Sequence, residues 1–341
     1  MNAPDPIALA GPRSALIDAL GRRVSYLRLS VTDRCDFRCT YCMSEKMSFL
    51  PHSALMSLEE SLQIVETFVA LGVSKVRITG GEPLVRRNLV WLLERIAALP
   101  GVRELVLTTN GSQLAENAEA LRAAGVRRLN ISLDTLNPER FRRITRTGRL
   151  ENVIAGIDAA RAAGFERIRL NALLLRDGNA DELADLVQFA VDRGIDVGFI
   201  EEMPLGQVAG RQQPLKADEA RRLMAARFPL HPVDESTGGP AEYWRIEGSS
   251  SPSRIGFITP HSHNFCASCN RVRVTAQGDL YPCLGNDGMV PLLPVLRNTG
   301  GDTVALHRAI VGCLMRKPDG HRFTEQMQAP KVMRHMSVTG G

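Results

Sequence analysis

Lysine is scarce in this chain. Only Lys46, Lys75, Lys216, Lys317 and Lys331 are lysine among 42 basic residues, and the other 37 are arginine. A single arginine therefore carries little information, and arginines count only by position. Net charge is just +5, so nothing pulls the whole chain toward nucleic acid or a membrane. Aromatic residues are 5% of the total, too few for the stacking platforms of a nucleic-acid binder. No apolar run reaches transmembrane length. The N-terminus lacks the basic stretch and long apolar segment of a secretory signal. Its clustered thiols then point to metal in a reducing cytoplasm, not to disulfides.

What the chain does have is two cysteine triplets. Cys35, Cys39 and Cys42 fall within eight residues, spaced C-x3-C-x2-C. Cys266, Cys269 and Cys283 form the second set, and Cys313 stands alone in an apolar helical run as a buried thiol. Three thiolates leave one iron of a [4Fe–4S] cluster open to a ligand that is not protein. The alternative is structural zinc, which wants four closed ligands. No Cys or His follows the first triplet closely before His52. For the second, His261 or His263 can complete a zinc set, and that alternative stays open. His52, His231, His307, His321 and His335 read as surface or satisfied histidines.

Residues 1–23 form an arm, with a short helix expected at 15–20. From residue 24 to 205 a strand–helix unit recurs. The strands are expected at 25–31, 75–79, 104–108, 128–133, 167–174 and 197–201, with helices at 57–71, 85–98, 113–124, 150–163 and 180–192. Ser57 with Glu60 makes a capping box, and Gly72, Gly125 and Gly164 sit at helix ends. This alternation predicts a parallel α/β sheet, first as a partial (β/α)6 barrel and second as a doubly wound open sheet. Residues 206–341 form a second, C-terminal α+β region that holds the other cysteine triplet. A two-residue turn at Gln277-Gly278 would pair Val272 with Cys283 and return that cysteine toward Cys269.

Period-two alternation places Arg28 with Ser30, Arg77 with Thr79, Asn130 with Ser132, Arg169 with Asn171 and Glu201 with Met203 on the inward face. Three inward arginines need something anionic. Internal pairs with Glu201 or Glu202 are one answer and an anionic ligand the other. Arg271 and Arg273 flank the second triplet in the same way, with fork-shaped donors suited to phosphate.

Thr79-Gly80-Gly81-Glu82-Pro83 after the second strand, taken with the first triplet and Tyr41, resembles the radical S-adenosylmethionine (SAM) superfamily. That resemblance implies a partial barrel. It also implies that the open iron chelates SAM, whose reductive cleavage gives a 5′-deoxyadenosyl radical. The stretches from Leu27 to Cys35 and from Cys266 to Thr275, with the terminal Gly340-Gly341, narrow the resemblance to the GTP 3′,8-cyclase family of molybdenum cofactor biosynthesis. As implications of that resemblance, Cys35, Cys39 and Cys42 hold one [4Fe–4S] cluster and Cys266, Cys269 and Cys283 a second. Tyr41, Gly81, Ser132 and Met203 contact SAM. Arg28, Arg77, Thr108, Arg169, Arg271, Val272 and Arg273 contact GTP. Arg28, Arg271, Arg273, Gly340 and Gly341 assist catalysis. The implied partners are an electron donor such as flavodoxin and a downstream cyclic pyranopterin monophosphate synthase, with no nucleic acid and no membrane, and either a monomer or a homodimer is open. Two positions depart from the family pattern: Arg169, where lysine is expected, and Gly285, where an aromatic is commoner. A radical SAM peptide maturase with an auxiliary cluster is the nearest rival, and a zinc-stabilised nucleic-acid binder the more distant one.

Overall fold

Six short strands rich in Val, Ile and Leu, each followed by an amphipathic helix, pair in parallel and in chain order. They are β1 (Tyr26–Ser30), β2 (Lys75–Thr79), β3 (Glu104–Thr109), β4 (Arg128–Ser132), β5 (Arg167–Leu174) and β6 (Asp196–Glu201). The structure is a computed structural model and describes residues 15–205, 214–321, 323 and 336–340. The helices lie on one face of the sheet and bury their apolar stripes there. The helix Leu58–Ala70 is typical: Ser57 Oγ accepts from Glu60 N at 3.1 Å, and Glu60 Oε2 accepts from Ser57 N at 2.7 Å. Such a cap contributes about 1 kcal/mol. Ile64, Val65 and Phe68 of this helix are fully buried against the sheet.

The other face curls around a cavity bordered by side chains from β1 to β6, which makes the six units an open, partial barrel. The C-terminal chain extends the same sheet at both edges. β7 (Leu230–Val233), β8 (Glu242–Ile246) and β9 (Ile255–Ile258) form a meander beyond β6, with β9 parallel to β6. β10 (Arg271–Val274), β11 (Asp279–Tyr281) and β12 (Val290–Pro291) extend beyond β1, with β10 parallel to β1. Residues 259–270 therefore cross from β9, beside β6, to β10, beside β1, and this crossing carries Cys266 and Cys269.

Four expectations are corrected. The segment expected as a helix at 15–20 is a tight turn: Ile17 bridges Arg23, and Asp18 Oδ1 accepts from Leu20 N and Arg22 N, each at 2.9 Å. A helix at Pro138–Thr145 was not anticipated. It is short and strongly charged, with few apolar residues, but those it has share the buried face of Phe141, Ile144 and Thr145, and Asn137 caps it by accepting from Arg140 N at 3.0 Å. Glu201 points away from the cavity, where it accepts from Ala217 N, His261 N and Ser262 N, each at 3.1 Å. Ile200, paired with the inward Leu173, lines the cavity instead. The hairpin register is shifted by one residue. Arg273 pairs with Tyr281 and Val274 with Leu280, because the loop has three residues and Gly278 takes φ +84°. A one-residue shift changes faces. Continued along the strands, this register sets Cys283 level with Arg271, on the arginine face rather than on the apolar face of Val272.

Candidate active site

The strand faces converge on two adjoining cavities. The smaller, of about 120 Å³, is bordered by Cys35, Cys39 and Cys42 together with Gly80, Gly81, Ser132 and Tyr41. The larger, of about 250 Å³, is bordered by Arg28, Arg77, Arg169, Arg271, Val272 and Arg273, by Met203, and by Cys266, Cys269 and Cys283. Tyr41, Thr108, Ser132, Asp134 and Met336 border both, so the two spaces are continuous. The first triplet follows the C-terminal end of β1, whereas Cys266 and Cys269 precede the start of the parallel strand β10. The two thiol sets thus lie at opposite ends of neighbouring strands, separated by roughly 15 Å of strand length.

The first cysteine loop is fixed by its neighbours. Arg38 N donates to Thr145 O and Thr40 N to Ile144 O, each at 2.9 Å. Phe37 N donates to Cys35 Sγ at 3.4 Å. The glycines of the next turn are tightly packed on this loop: a Cβ on Gly81 would stand 2.4 Å from Arg34 O. Glu82 is fully buried and accepts from Leu84 N, Thr109 Oγ1 and Asn110 N at 3.0, 2.8 and 2.6 Å. Burial nonetheless pushes its carboxyl up to about 7. Burial, then Glu82, pushes the Cys35 thiol up to about 12, and burial, then Cys42, pushes Cys39 up.

The larger cavity is cationic. Arg77 donates to the Tyr26 hydroxyl through Nε and to Thr108 Oγ1 at 2.8 Å. Arg169 donates to Asn171 Oδ1 and to Tyr243 Oη, each at 3.0 Å. With its amide oxygen toward the cavity, Asn130 accepts from Arg77 Nη1 and Arg169 Nη2, each at 2.9 Å. Deeper in, Lys75 and Arg128 pair with Glu104 at 2.7 and 2.5 Å. Above them Arg77, Arg169, Arg271 and Arg273 form no ion pair with any carboxylate among the described residues. Burial, then Arg271, lowers the Arg273 guanidinium to about 10. Burial raises the Tyr26 phenol, but Arg77, Arg28 and Lys75 outweigh it and bring the phenol down to about 7. Gly198 faces the Arg169 guanidinium, where a Cβ would stand 3.2 Å from Nε.

Gly340 reaches the arginines of this space. Gly340 O accepts from Arg273 Nη1 at 2.5 Å and from Arg28 Nη2 at 3.5 Å. Gly340 takes φ +76°, and a Cβ there would stand 2.2 Å from Thr79 Cγ2. Gly341 lies outside the described residues. At the second triplet, Phe323 and His321 occupy the space beside Gly285, where a Cβ would meet them at 3.1 and 2.6 Å. The aromatic wall missing at Gly285 is supplied from Phe323. His321, read as a surface or satisfied histidine, lines the cavity and so is not a surface residue. His261 Nε2 is engaged by Glu202 O at 2.8 Å. Among the described residues, no three His, Cys, Asp or Glu side chains are grouped to hold a single metal ion.

Sequence comparisons identify what this architecture belongs to. Residues 29–190 match the radical SAM superfamily, and residues 195–323 match the family described as Molybdenum Cofactor Synthesis C. The GTP 3′,8-cyclase of Pseudomonas entomophila is 56% identical over 330 residues, covering 96% of this chain and 98% of that protein. The chain belongs to the GTP 3′,8-cyclase family. GTP 3′,8-cyclase 2 of Pseudomonas aeruginosa, at 53% identity, covers 96% of this chain and 99% of its own length. In three dimensions, Streptococcus suis SuiB shares the fold with a TM-score of 0.62 at 16% identity, covering 94% of this chain and 78% of that one.

Membership of the radical SAM superfamily implies SAM and a [4Fe–4S] cluster, and the residues at the smaller cavity fit them. Three thiols border one space, and their mutual charge effects show that they are close neighbours. Burial raises the Cys35 and Cys39 thiols, and bound iron would deprotonate them. The glycine turn leaves backbone groups exposed to the same space. Asn130 lines the larger cavity as its inward position predicts, whereas Tyr26 and Lys75 were not singled out by sequence as cavity residues. Tyr26 and Lys75 stand two residues before Arg28 and Arg77, so the period of two already placed them on this face. No helix among the described residues is long and apolar enough to cross a membrane.

Proposed function

We propose that this chain is a GTP 3′,8-cyclase. It converts GTP into (8S)-3′,8-cyclo-7,8-dihydroguanosine 5′-triphosphate, the first step of molybdenum cofactor biosynthesis. The observation that carries this reading is the set of cavity arginines, Arg77, Arg169, Arg271 and Arg273, which pair with no carboxylate among the described residues and stand between two cysteine triplets. A polyanion that spans the distance between a radical source and a second cluster satisfies both features. Cys35, Cys39 and Cys42 would hold the first cluster, with Tyr41, Gly81, Ser132 and Met203 around SAM. Cys266, Cys269 and Cys283 would hold a second [4Fe–4S] cluster beside the guanine base. When bound, SAM and the first cluster supply hydrogen-atom abstraction.

The chain's own residues bind and orient. Arg28, Arg77, Arg169, Arg271 and Arg273 hold the triphosphate and ribose, with Thr108 and the Val272 backbone beside them. Asn130 and Tyr26 already fix the Arg77 fork, which lowers the ordering needed at binding. Met336 stands where the two cavities meet and excludes water from the junction. An external reductant such as flavodoxin and a synthase that consumes the product complete the reading. SuiB, one of whose structures is described as bound to precursor peptide SuiA, shares only the fold. An arginine-lined interior suits a triphosphate better than a peptide.

Binding of GTP to the reconstituted protein tests this reading apart from turnover. Arg169→Ala is expected to weaken GTP by about 10–100-fold in an equilibrium titration, the effect of losing one or two charge-assisted hydrogen bonds. Unchanged affinity in a variant that melts like the parent would remove Arg169 from the site.

A further inference from the structure

Lys317 lies beyond the helix Thr303–Leu314 and is 5% exposed. Its ammonium donates to Cys269 Sγ at 3.6 Å, to Arg271 O at 2.9 Å and to Pro282 O. No carboxylate among the described residues pairs with it. A buried ammonium without a carboxylate is costly unless an anion stands beside it. The anion within reach is the sulfur of Cys269. The identity of the residue matters in a chain that otherwise uses arginine. A compact ammonium with three donors can serve three acceptors arranged around one point, and a planar guanidinium cannot.

The surroundings reinforce this placement. Arg22 Nη1 donates to Cys266 O at 3.0 Å and Arg22 Nη2 to Pro318 O at 2.6 Å, so the turn that carries Lys317 is tied to the cysteine crossing. Arg271 Nη2 stands 3.8 Å from Cys269 Sγ, and Asn286 Nδ2 donates to Cys283 Sγ at 3.4 Å. The first triplet differs in charge: Cys35 Sγ also accepts N–H bonds, from Phe37 N at 3.4 Å and Asn110 Nδ2 at 3.8 Å, but the charged side chains beside it are acidic, with Asp36 Oδ1 3.9 Å away.

We propose that Lys317 is a positioning residue of the second cluster, whose hydrogen bond and charge at Cys269 hold that cluster in place and make it easier to reduce than the first. The proposal rests on the two-cluster reading. Positive charge and N–H···S bonds favour the more negative, reduced state of an iron–sulfur centre.

The test is a redox titration of the full-length, anaerobically reconstituted protein. It follows the paramagnetic signal that disappears in Cys283→Ser, and iron is determined in parallel. Lys317→Met is expected either to lose the iron of the second site alone or to keep it with reduction disfavoured at least tenfold. For one electron, tenfold is about 59 mV toward negative potential. Lys317→Gln keeps a donor without the charge, is expected to shift in the same direction, and carries the test if Lys317→Met does not fold. The proposal is overturned if both variants keep the parent's iron content and potential. A parent protein with about four irons and no Cys283-dependent signal would instead overturn the two-cluster reading beneath it.

Discussion

Cys283→Ser is expected to keep its first cluster and to form no cyclised nucleotide. Iron content should fall from about eight to about four per chain, with the product below detection. The expectation follows from topology. Cys266 and Cys269 sit on the crossing that precedes β10, whereas Cys283 follows β11 and returns level with Arg271. One cysteine of the three therefore comes from a separate segment, and its loss would open the proposed second site without touching the loop of Cys35, Cys39 and Cys42. Iron analysis with chromatographic product assay checks this. Turnover equal to the parent's would contradict the role assigned to the second triplet.

Gly340→Ala is the second change expected to act strongly. The added methyl would meet Thr79 at 2.2 Å, in a backbone conformation that side chains rarely adopt. Either the tail leaves the cavity or Thr79 shifts, and Thr79 immediately precedes the Gly80-Gly81 turn. Displacement on this scale is expected to lower the cyclisation rate by roughly 100-fold. The melting temperature should change little, because the apolar side chains among the described tail residues, Met336 and Val338, are only partly buried. Single-turnover rates and thermal melts on the same preparation separate the two effects. A rate within twofold of the parent's would mean that the tail takes no part in the reaction.

The period of two was sufficient to read the inward arginines. Arg28, Arg77 and Arg169 lie on strands whose alternate residues are apolar, and all three border the larger cavity. It failed on β6, where Val197, Phe199 and Ile200 are apolar on both faces and Gly198 is small because Arg169 lies opposite. There the polarity of Glu201 suggested an inward position, but its carboxylate serves the backbone of residues 261–262 and the start of the helix Ala217–Ala225. The hairpin register was missed because Gln277-Gly278 reads equally as the end of a two- or three-residue loop. Gly340 and Lys317 carried no local pattern: one has no side chain, and the other stands in a turn whose partners lie 35–48 residues away. The family resemblance supplied the first, and only the folded chain supplied the second.

The measurement that bears most directly on the account is anaerobic turnover of the reconstituted protein with SAM, a strong reductant and GTP. 5′-Deoxyadenosine and 3′,8-cyclised GTP are expected to appear together, in equal amounts, and only when GTP is present. Formation of 5′-deoxyadenosine that does not depend on GTP, with GTP recovered unchanged, would contradict the account.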